Sequence, residues 1–190
     1  MRAAYCRLVV LSVIGVLCAG AAVAAPAQVV ILRHGEKPET GNELNERGWQ
    51  RANALVGFFQ SDPVMTRFGL PTAIYAMAPK DEGGSVRPIQ TVTPLADVLK
   101  LAIHKDYKRD ELAALVKEIM GKPGYAGRTV LVCWEHKVIP ELVRDFGWSS
   151  GPVNWDGAVF DRAWVLRFDG DRVVGFQDLP QRLLPGDSDR

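Results

Sequence analysis

The sequence has few of the residues that build metal centres and disulfide frameworks. Its 190 residues include three cysteines and three histidines, and they contain no Cys-x-x-Cys or His-x-x-x-His pair. Because such pairs are typical of zinc sites, their absence argues against a zinc centre. The formal net charge is only +1, so the composition gives no sign of the basic surface by which proteins bind nucleic acid.

The one long apolar run lies at the amino terminus. Two arginines precede the apolar stretch from Leu8 to Val16, and small residues follow, ending in Ala22-Val23-Ala24. This order is typical of a secretory signal peptide, so we predict that residues 1–24 are cleaved and that the protein is exported, either periplasmic or secreted. It would then meet the membrane only through this transient segment. The alternative, an uncleaved anchor, is less favoured because Leu8 to Ala25 falls short of the roughly 20 residues that span a bilayer.

Removal of residues 1–24 changes both the charge and the cysteine count. It takes away two arginines and no acidic residue, which brings the net charge to −1, and it leaves Cys133 as the one cysteine. A single cysteine forms no internal disulfide, so a hydrophobic core has to supply the stability. Cys133 lies in an apolar run and is predicted to be a small core residue. Residues 25–190 have the length of one domain.

Short β-branched runs alternate with amphipathic segments along the predicted domain. The predicted strands are Val29–Leu32, Thr72–Met77, Thr129–Trp134, Ala163–Phe168 and Arg172–Phe176. The predicted helices cover about 45–60, about 110–120 and Pro140 to Phe146. The segment from Val86 through Leu95, Leu99 and Ile103 is either one kinked helix or a turn followed by a helix, for which Thr93-Pro94 fits an N-cap and first helical residue. This alternation predicts an α/β fold: a three-layer α/β/α sandwich with a mostly parallel central sheet and a late antiparallel hairpin.

Two of the predicted strands end in a charged residue followed by histidine. Arg33-His34-Gly35 follows the first strand, and Glu135-His136 follows the third. Ligands of α/β sheets lie outside the carboxyl ends of the strands, so we expect both histidines along one edge. Arg87 begins a helical segment after the second strand and adds another guanidinium. His104 is expected on the surface, and the late-loop acids Asp156 and Asp161 are interpreted as turn formers.

These residue types suit the transfer of a phosphoryl group. Its charge spreads over three equatorial oxygens, which guanidinium forks bind in pairs. A neutral histidine can attack phosphorus, and glycine lets a backbone N–H approach the ligand closely. Two other classes stay open: a protein that binds an anionic ligand without turnover, and a zinc hydrolase that uses His34, His136 and Glu135. Neighbouring arginines would repel the metal of the latter.

The order of the motifs resembles that of the histidine phosphatase superfamily, also called phosphoglycerate-mutase-like, over about Gln28 to Gly147. The matching elements are Arg33-His34-Gly35-Glu36, Leu44-x-x-x-Gly48-x-x-Arg51-Ala52, Arg87-x-x-Gln90-Thr91 and the late His136. The resemblance implies that His34 is the nucleophile and that Arg33, Arg87 and His136 bind the phosphate; the Gly35 N–H is expected to add a dipole. It implies a metal-independent phosphomonoesterase that needs no cofactor and acts on a small phosphorylated substrate.

The leaving group needs a proton donor, and here the sequence offers several acids. Glu135 is the first candidate, because it precedes His136 at the strand end; its alternative role is that of a partner which keeps His136 charged. The rival acids lie on loops expected at the same edge: Asp81, Glu82 and Asp106.

The substrate and the oligomeric state stay open in the sequence. Glu36-Lys37-Pro38-Glu39 stands where the mutase branch of the family carries a serine and an asparagine. A phosphoglycerate-mutase-type phosphotransferase is therefore the less favoured alternative. Lys37 and Lys137 either line a pocket for a doubly anionic substrate or are ordinary surface lysines.

Overall fold

The computed structural model of the chain describes residues 25–189; the predicted signal peptide, residues 1–24, lies outside them. In chain order the elements are β1 (Gln28–Arg33), α1 (Glu46–Ser61), β2 (Pro71–Ala76), α2 (Arg87–Leu99), β3 (Ile103–His104), α3 (Leu112–Gly121), a 3₁₀ turn (Pro123–Tyr125), β4 (Thr129–Trp134), α4 (Ile139–Asp145), β5 (Arg162–Asp169) and β6 (Arg172–Pro180). Residues 146–161 are here called the α4–β5 loop. No helix within 25–189 is long and apolar enough to cross a bilayer.

The strands form one mixed sheet in the order β3-β2-β4-β1-β5-β6. β1, β2, β3 and β4 are parallel to their neighbours in that group, whereas β5 runs antiparallel to both β1 and β6. A two-residue turn joins β5 to β6, and Gly170 begins it with a φ of +61°, which a glycine adopts at no steric cost. The predicted parallel sheet with a late hairpin is confirmed.

Helices cover both faces of the sheet because its central strands are apolar on both sides. Val29 and Ile31 of β1 pack with Leu115 of α3 in one buried cluster. Val30 and Leu32 pack in the other cluster, which contains core residues of α1 and α2. This alternation along β1 gives the predicted three layers. Cys133 of β4 is buried and unpaired, and burial raises the pKa of its thiol, as expected of a core residue.

In the region of α2 the structure has a single helix, one of the two predicted possibilities, but the predicted carboxyl-terminal end of the segment is wrong. The helix begins at Arg87, with Pro88 in its first turn, and Pro94 lies inside it. Thr93 therefore caps nothing; its hydroxyl donates to the carbonyl O of Ile89 one turn earlier. The helix ends at Leu99, and Ile103, predicted to continue the helical face, begins the short edge strand β3. His104 follows it half-buried and stacks on the ring of Tyr75, 4.7 Å between centroids.

The topology brings three chain segments to one edge of the sheet. β1 and β4 are parallel neighbours in register, with Arg33 opposite Trp134, so the residues that follow them emerge side by side. β5 is antiparallel to β1, so its amino-terminal end, and with it the α4–β5 loop, reaches the same edge.

Candidate active site

Arg33 and His34 lie at the carboxyl end of β1, as predicted. Both are buried: Arg33 is 2% exposed and His34 is 5% exposed. The N–H of His34 donates to the carbonyl O of Trp134 at 3.3 Å, which continues the pairing of β1 with β4 by one residue. The strand ladder therefore determines where the histidine backbone lies.

The imidazole of His34 is oriented by its own backbone. Nδ1 lies 2.7 Å from the carbonyl O of Gly35. That oxygen only accepts, so Nδ1 carries the proton and Nε2 carries the lone pair. Burial lowers the pKa of His34 to about 4, although the hydrogen bond to Gly35 opposes the shift. The nearby groups Arg33, Arg87 and His136 lower this pKa further. His34 is therefore neutral at physiological pH, which is the form that a nucleophile needs.

Gly35 allows close packing, but its N–H is not free. This N–H donates to Thr91 Oγ1 at 2.8 Å, so the dipole expected to face a phosphate is already used by a side chain. A Cβ at Gly35 would lie 3.1 Å from the carbonyl O of Gly48, and a Cβ at Gly48 would lie only 2.3 Å from that of Glu36. The two glycines therefore let the loop after β1 touch the first turn of α1.

The α4–β5 loop anchors one edge of the Arg33 guanidinium. NH1 of Arg33 donates to the carbonyl oxygens of Gly157 and Val159, both at 2.8 Å, and to that of Asp156 at 3.3 Å. Nε of the same group is buried and has no hydrogen-bond partner among residues 25–189. A buried donor without a partner is costly, and an anion is the partner that a guanidinium favours.

Arg33 keeps its positive charge although it is buried. Burial lowers the pKa of Arg33 to about 10, while the carboxylates of Glu135, Glu36 and Asp156 oppose the shift. At neutral pH the guanidinium stays cationic, and its plane lies on the ring of Phe160, with Cζ 3.7 Å from the ring centroid. The same ring lies 6.1 Å from that of His34.

Arg87 and its neighbours in α2 hold the loop that follows β1. Nε of Arg87 donates to the carbonyl O of Glu43 at 3.1 Å, and NH2 donates to that of Gly41. The side-chain oxygen of Gln90 accepts from the backbone N–H of Leu44 at 2.8 Å. Arg87 also lies near enough to lower the pKa of His34. The predicted second guanidinium is thus beside the site, with part of its fork bound to backbone.

His136 follows β4 and lies beside β1, as predicted. A Cβ at Gly157 of the α4–β5 loop would lie 3.5 Å from His136 Nε2, so the loop passes directly over this imidazole. Burial lowers the pKa of His136, and the charge of Arg33 lowers it further. Lys137 and Lys37 act in the same direction, which places both ammonium groups around this side of the site. Without a bound anion, His136 therefore favours its neutral form.

Glu135 contacts one cationic side chain, that of Arg109, and the imidazole of His136. Its Oε2 accepts from Arg109 Nε at 3.1 Å, and its Oε1 lies 2.9 Å from Nδ1 of His136, in a geometry that forms no hydrogen bond. These contacts favour the alternative role of Glu135, as a partner of His136. The proton-donor role stays a prediction.

Solved structures share this fold. The chain is similar to a protein histidine phosphatase, SixA, in complex with tungstate: the TM-score is 0.56 and the identity 13%, over 80% of this chain and 96% of that one. The alpha-ribazole phosphatase from Shigella flexneri matches with a TM-score of 0.51 and 12% identity, over 83% of this chain and 98% of that one. This is the histidine phosphatase fold. The sequence alone matches no family model and no curated protein.

The residues of the sequence motifs lie at the ends of three elements. Arg33 ends the central strand β1 and His34 follows it, His136 follows the parallel neighbour β4, and Arg87 begins the helix after β2. The rival acids Asp81, Glu82 and Asp106 are exposed on loops. Within residues 25–189, no group of three or more His, Cys, Asp or Glu side chains is arranged to hold a metal ion.

A buried ion-pair cluster behind the site escaped the sequence analysis. Arg51 of α1, 2% exposed, donates to both carboxylate oxygens of Glu36 at 2.7–3.2 Å and to those of Asp187 at 2.8 and 2.9 Å. Arg47 joins the same two carboxylates at 3.1 Å each. The cluster ties the residue after Gly35 to the carboxyl-terminal segment. The match of Arg51 to the family's helix pattern was the only signal for it.

Proposed function

We propose that the protein is a metal-independent phosphomonoester hydrolase that works through a phosphohistidine on His34. The observation that carries this proposal is the pairing of a neutral, oriented imidazole with the partnerless Nε of Arg33. A site that only binds anions gains little from a neutral histidine among cations. The tungstate in the similar SixA structure supports the proposal, because tungstate is a tetrahedral oxyanion, like phosphate.

The reaction has two displacement steps at phosphorus. In the first, the Nε2 lone pair of His34 forms a P–N bond, and the P–O bond to the leaving group breaks as that oxygen takes up a proton from a general acid, for which Glu135 stays the first candidate. In the second, the oxygen of a water molecule forms a new P–O bond and gives a proton back to the same group, while the electron pair of the P–N bond returns to Nε2. Arg33 and Arg87 stabilise the equatorial oxygens in both steps. A bound dianion also favours the protonated form of His136, which adds a further positive charge.

We propose a small phosphorylated molecule as the substrate. Lys37 and Lys137 lie around His136, which suits a substrate with more than one negative group. We also propose that the protein is exported after cleavage of residues 1–24, on the signal-peptide pattern alone. Intact-mass measurement of protein from its native host should give a chain that begins at or near Ala25; a mass that retains Met1–Ala24 would refute export by cleavage.

The test of the function is turnover of a generic aryl phosphate, with and without EDTA. We expect release of inorganic phosphate at the same rate in both, because the proposed cations are side chains. Phosphate binding without turnover would favour the anion-binding protein instead. Activity that EDTA removes and zinc restores would favour the zinc hydrolase.

Arg87→Lys should lower kcat/KM for the aryl phosphate by about tenfold or more, because one ammonium cannot hold two carbonyls and also present a fork to the phosphate. Steady-state kinetics of the purified variant measures this. Arg172→Lys is the matched control and should resemble the wild type, because Arg172 begins β6 at the turn of the β5–β6 hairpin, at the end of the hairpin away from the site. If Arg87→Lys turns over like the control, Arg87 does not contact the phosphate.

A further inference from the structure

Two nitrogens of the Arg33 guanidinium differ in their partners within residues 25–189. Three carbonyl oxygens of the α4–β5 loop accept from NH1, and buried Nε has no partner among residues 25–189. An arginine side chain normally loses considerable rotamer freedom when it binds an anion. Here the loop has removed that freedom before any ligand arrives.

Asp156 closes the turn that supplies these carbonyls. Its Oδ1 accepts from the N–H of Ala158 at 2.8 Å, and its backbone carbonyl accepts from the N–H of Val159 at 3.1 Å. The tight turn directs the carbonyls of Asp156, Gly157 and Val159 to a single donor, NH1 of Arg33. Trp155 supports the turn by donating from Nε1 to the carbonyl of Val159 at 2.9 Å.

We propose that Asp156 is a positioning residue: by closing this turn, it holds Arg33 so that the Nε edge of the guanidinium faces an incoming phosphate. The inference rests on the proposed function in so far as the ligand is a phosphate. Asp156 acts through the turn and not by contact with the substrate. Its carboxylate also opposes the lowered pKa of Arg33, so charge and turn closure have to be separated by experiment.

Two substitutions make this separation. Asp156→Ala removes the Oδ1 acceptor together with the charge, whereas Asp156→Asn removes the charge and keeps an oxygen that can accept from Ala158. If the turn is what matters, Asp156→Asn should resemble the wild type and Asp156→Ala should not. Val153→Ser is the control in the same loop, because Val153 is 84% exposed.

The first readout is binding of inorganic phosphate, measured by titration calorimetry, together with kcat and KM for the aryl phosphate. We expect Asp156→Ala to weaken phosphate binding about tenfold and to raise KM by a similar factor, with a smaller change in kcat. The reason is that Arg33 binds the phosphate group both in the bound substrate and in the transition state. Asp156→Asn and Val153→Ser should stay within about threefold of wild type.

The second readout is the Nε–H signal of Arg33 in ¹H–¹⁵N spectra, assigned by its loss in Arg33→Lys. In the wild type this signal should be sharp and should shift on addition of phosphate. In Asp156→Ala the signal should broaden, and a cooperative urea-unfolding transition should show that the variant is still folded. A sharp Arg33 signal and unchanged phosphate affinity in Asp156→Ala would overturn the inference, as would equal losses in Asp156→Asn. Wild-type protein that binds phosphate without turnover would refute the proposed function and leave this inference standing.

Discussion

Replacement of His34 by alanine should reduce turnover of an aryl phosphate by a factor of about 10³ or more while largely preserving phosphate affinity. The imidazole is neutral and lies among cationic groups, so it contributes little attraction for an anion. In the proposed mechanism, however, it is the group whose lone pair forms the P–N bond. Loss of His34 should therefore remove the reaction path while Arg33 stays bound to the carbonyl oxygens of the α4–β5 loop.

The proposed phosphohistidine intermediate provides a direct check of the role of His34. Wild-type protein quenched rapidly without acid, after mixing with labelled substrate, should carry label that is stable to base and labile to acid, as expected of phosphohistidine. His104→Ala is the matched control, because His104 stacks on Tyr75 at the edge strand β3 and should keep full activity. Full activity in His34→Ala, or label on a carboxylate, would remove His34 from the mechanism.

The pH profile of the wild type should carry the signature of a buried nucleophile. The pKa of His34 is lowered to about 4, so the reactive neutral form persists far below the usual histidine range. We therefore expect the acid limb of kcat/KM that belongs to the enzyme to lie near pH 4 and not near 6.5. A limb at the ordinary histidine value would mean that His34 is more open to water than its 5% exposure indicates.

Most of the sheet could be predicted from the sequence because its central strands are apolar on both faces. β4 was predicted with its observed bounds, Thr129–Trp134, since all six of its side chains are buried. The amphipathic period of α1 was also sufficient to predict that helix. Asn45 caps it, because its side chain accepts a hydrogen bond from the N–H of Gly48. α2 was harder: Pro88 and Pro94 both suit a first turn, so the sequence left one helix and a turn followed by a helix both open. β3 has two residues, too few for any period to show.

The residue types of the candidate site could be predicted from the sequence, but their hydrogen-bond partners could not. Local motifs identified His34 and Arg33, and the parallel pairing of β1 with β4 brought His136 beside them. The partners of Arg33 are backbone carbonyls more than 120 residues away, and a carbonyl has no sequence signature. The turn formed by Asp156 was interpreted correctly, yet nothing local indicates that its carbonyls meet an arginine.

The charge cluster behind the site should dominate the stability of this region. In Arg51→Met the carboxylates of Glu36 and Asp187 stay largely buried and lose their main cation, so the free energy of unfolding at pH 7 should fall by about 3–5 kcal/mol. Urea unfolding measures this. Lys122→Met, which breaks the exposed pair with Glu118, is the control and should cost no more than about 1 kcal/mol.

The pH dependence of this effect has a definite sign. Burial on its own raises the pKa of Asp187, but hydrogen bonds from Arg51 and from the N–H groups of Leu184 and Leu183 outweigh it, and the pKa falls to about 2. For Glu36 too, burial on its own raises the pKa. The hydrogen bond and the charge of Arg51 outweigh burial, so the pKa of Glu36 is also lowered.

The stabilisation that these carboxylates provide is therefore complete above their ordinary pKa values of about 4 and is lost as the pH falls toward the lowered ones. The wild type should lose stability from about pH 5 downward, and the difference between wild type and Arg51→Met should shrink over the same range. A difference that is constant from pH 7 to pH 3 would mean that Arg51 stabilises the fold by packing rather than by its charge.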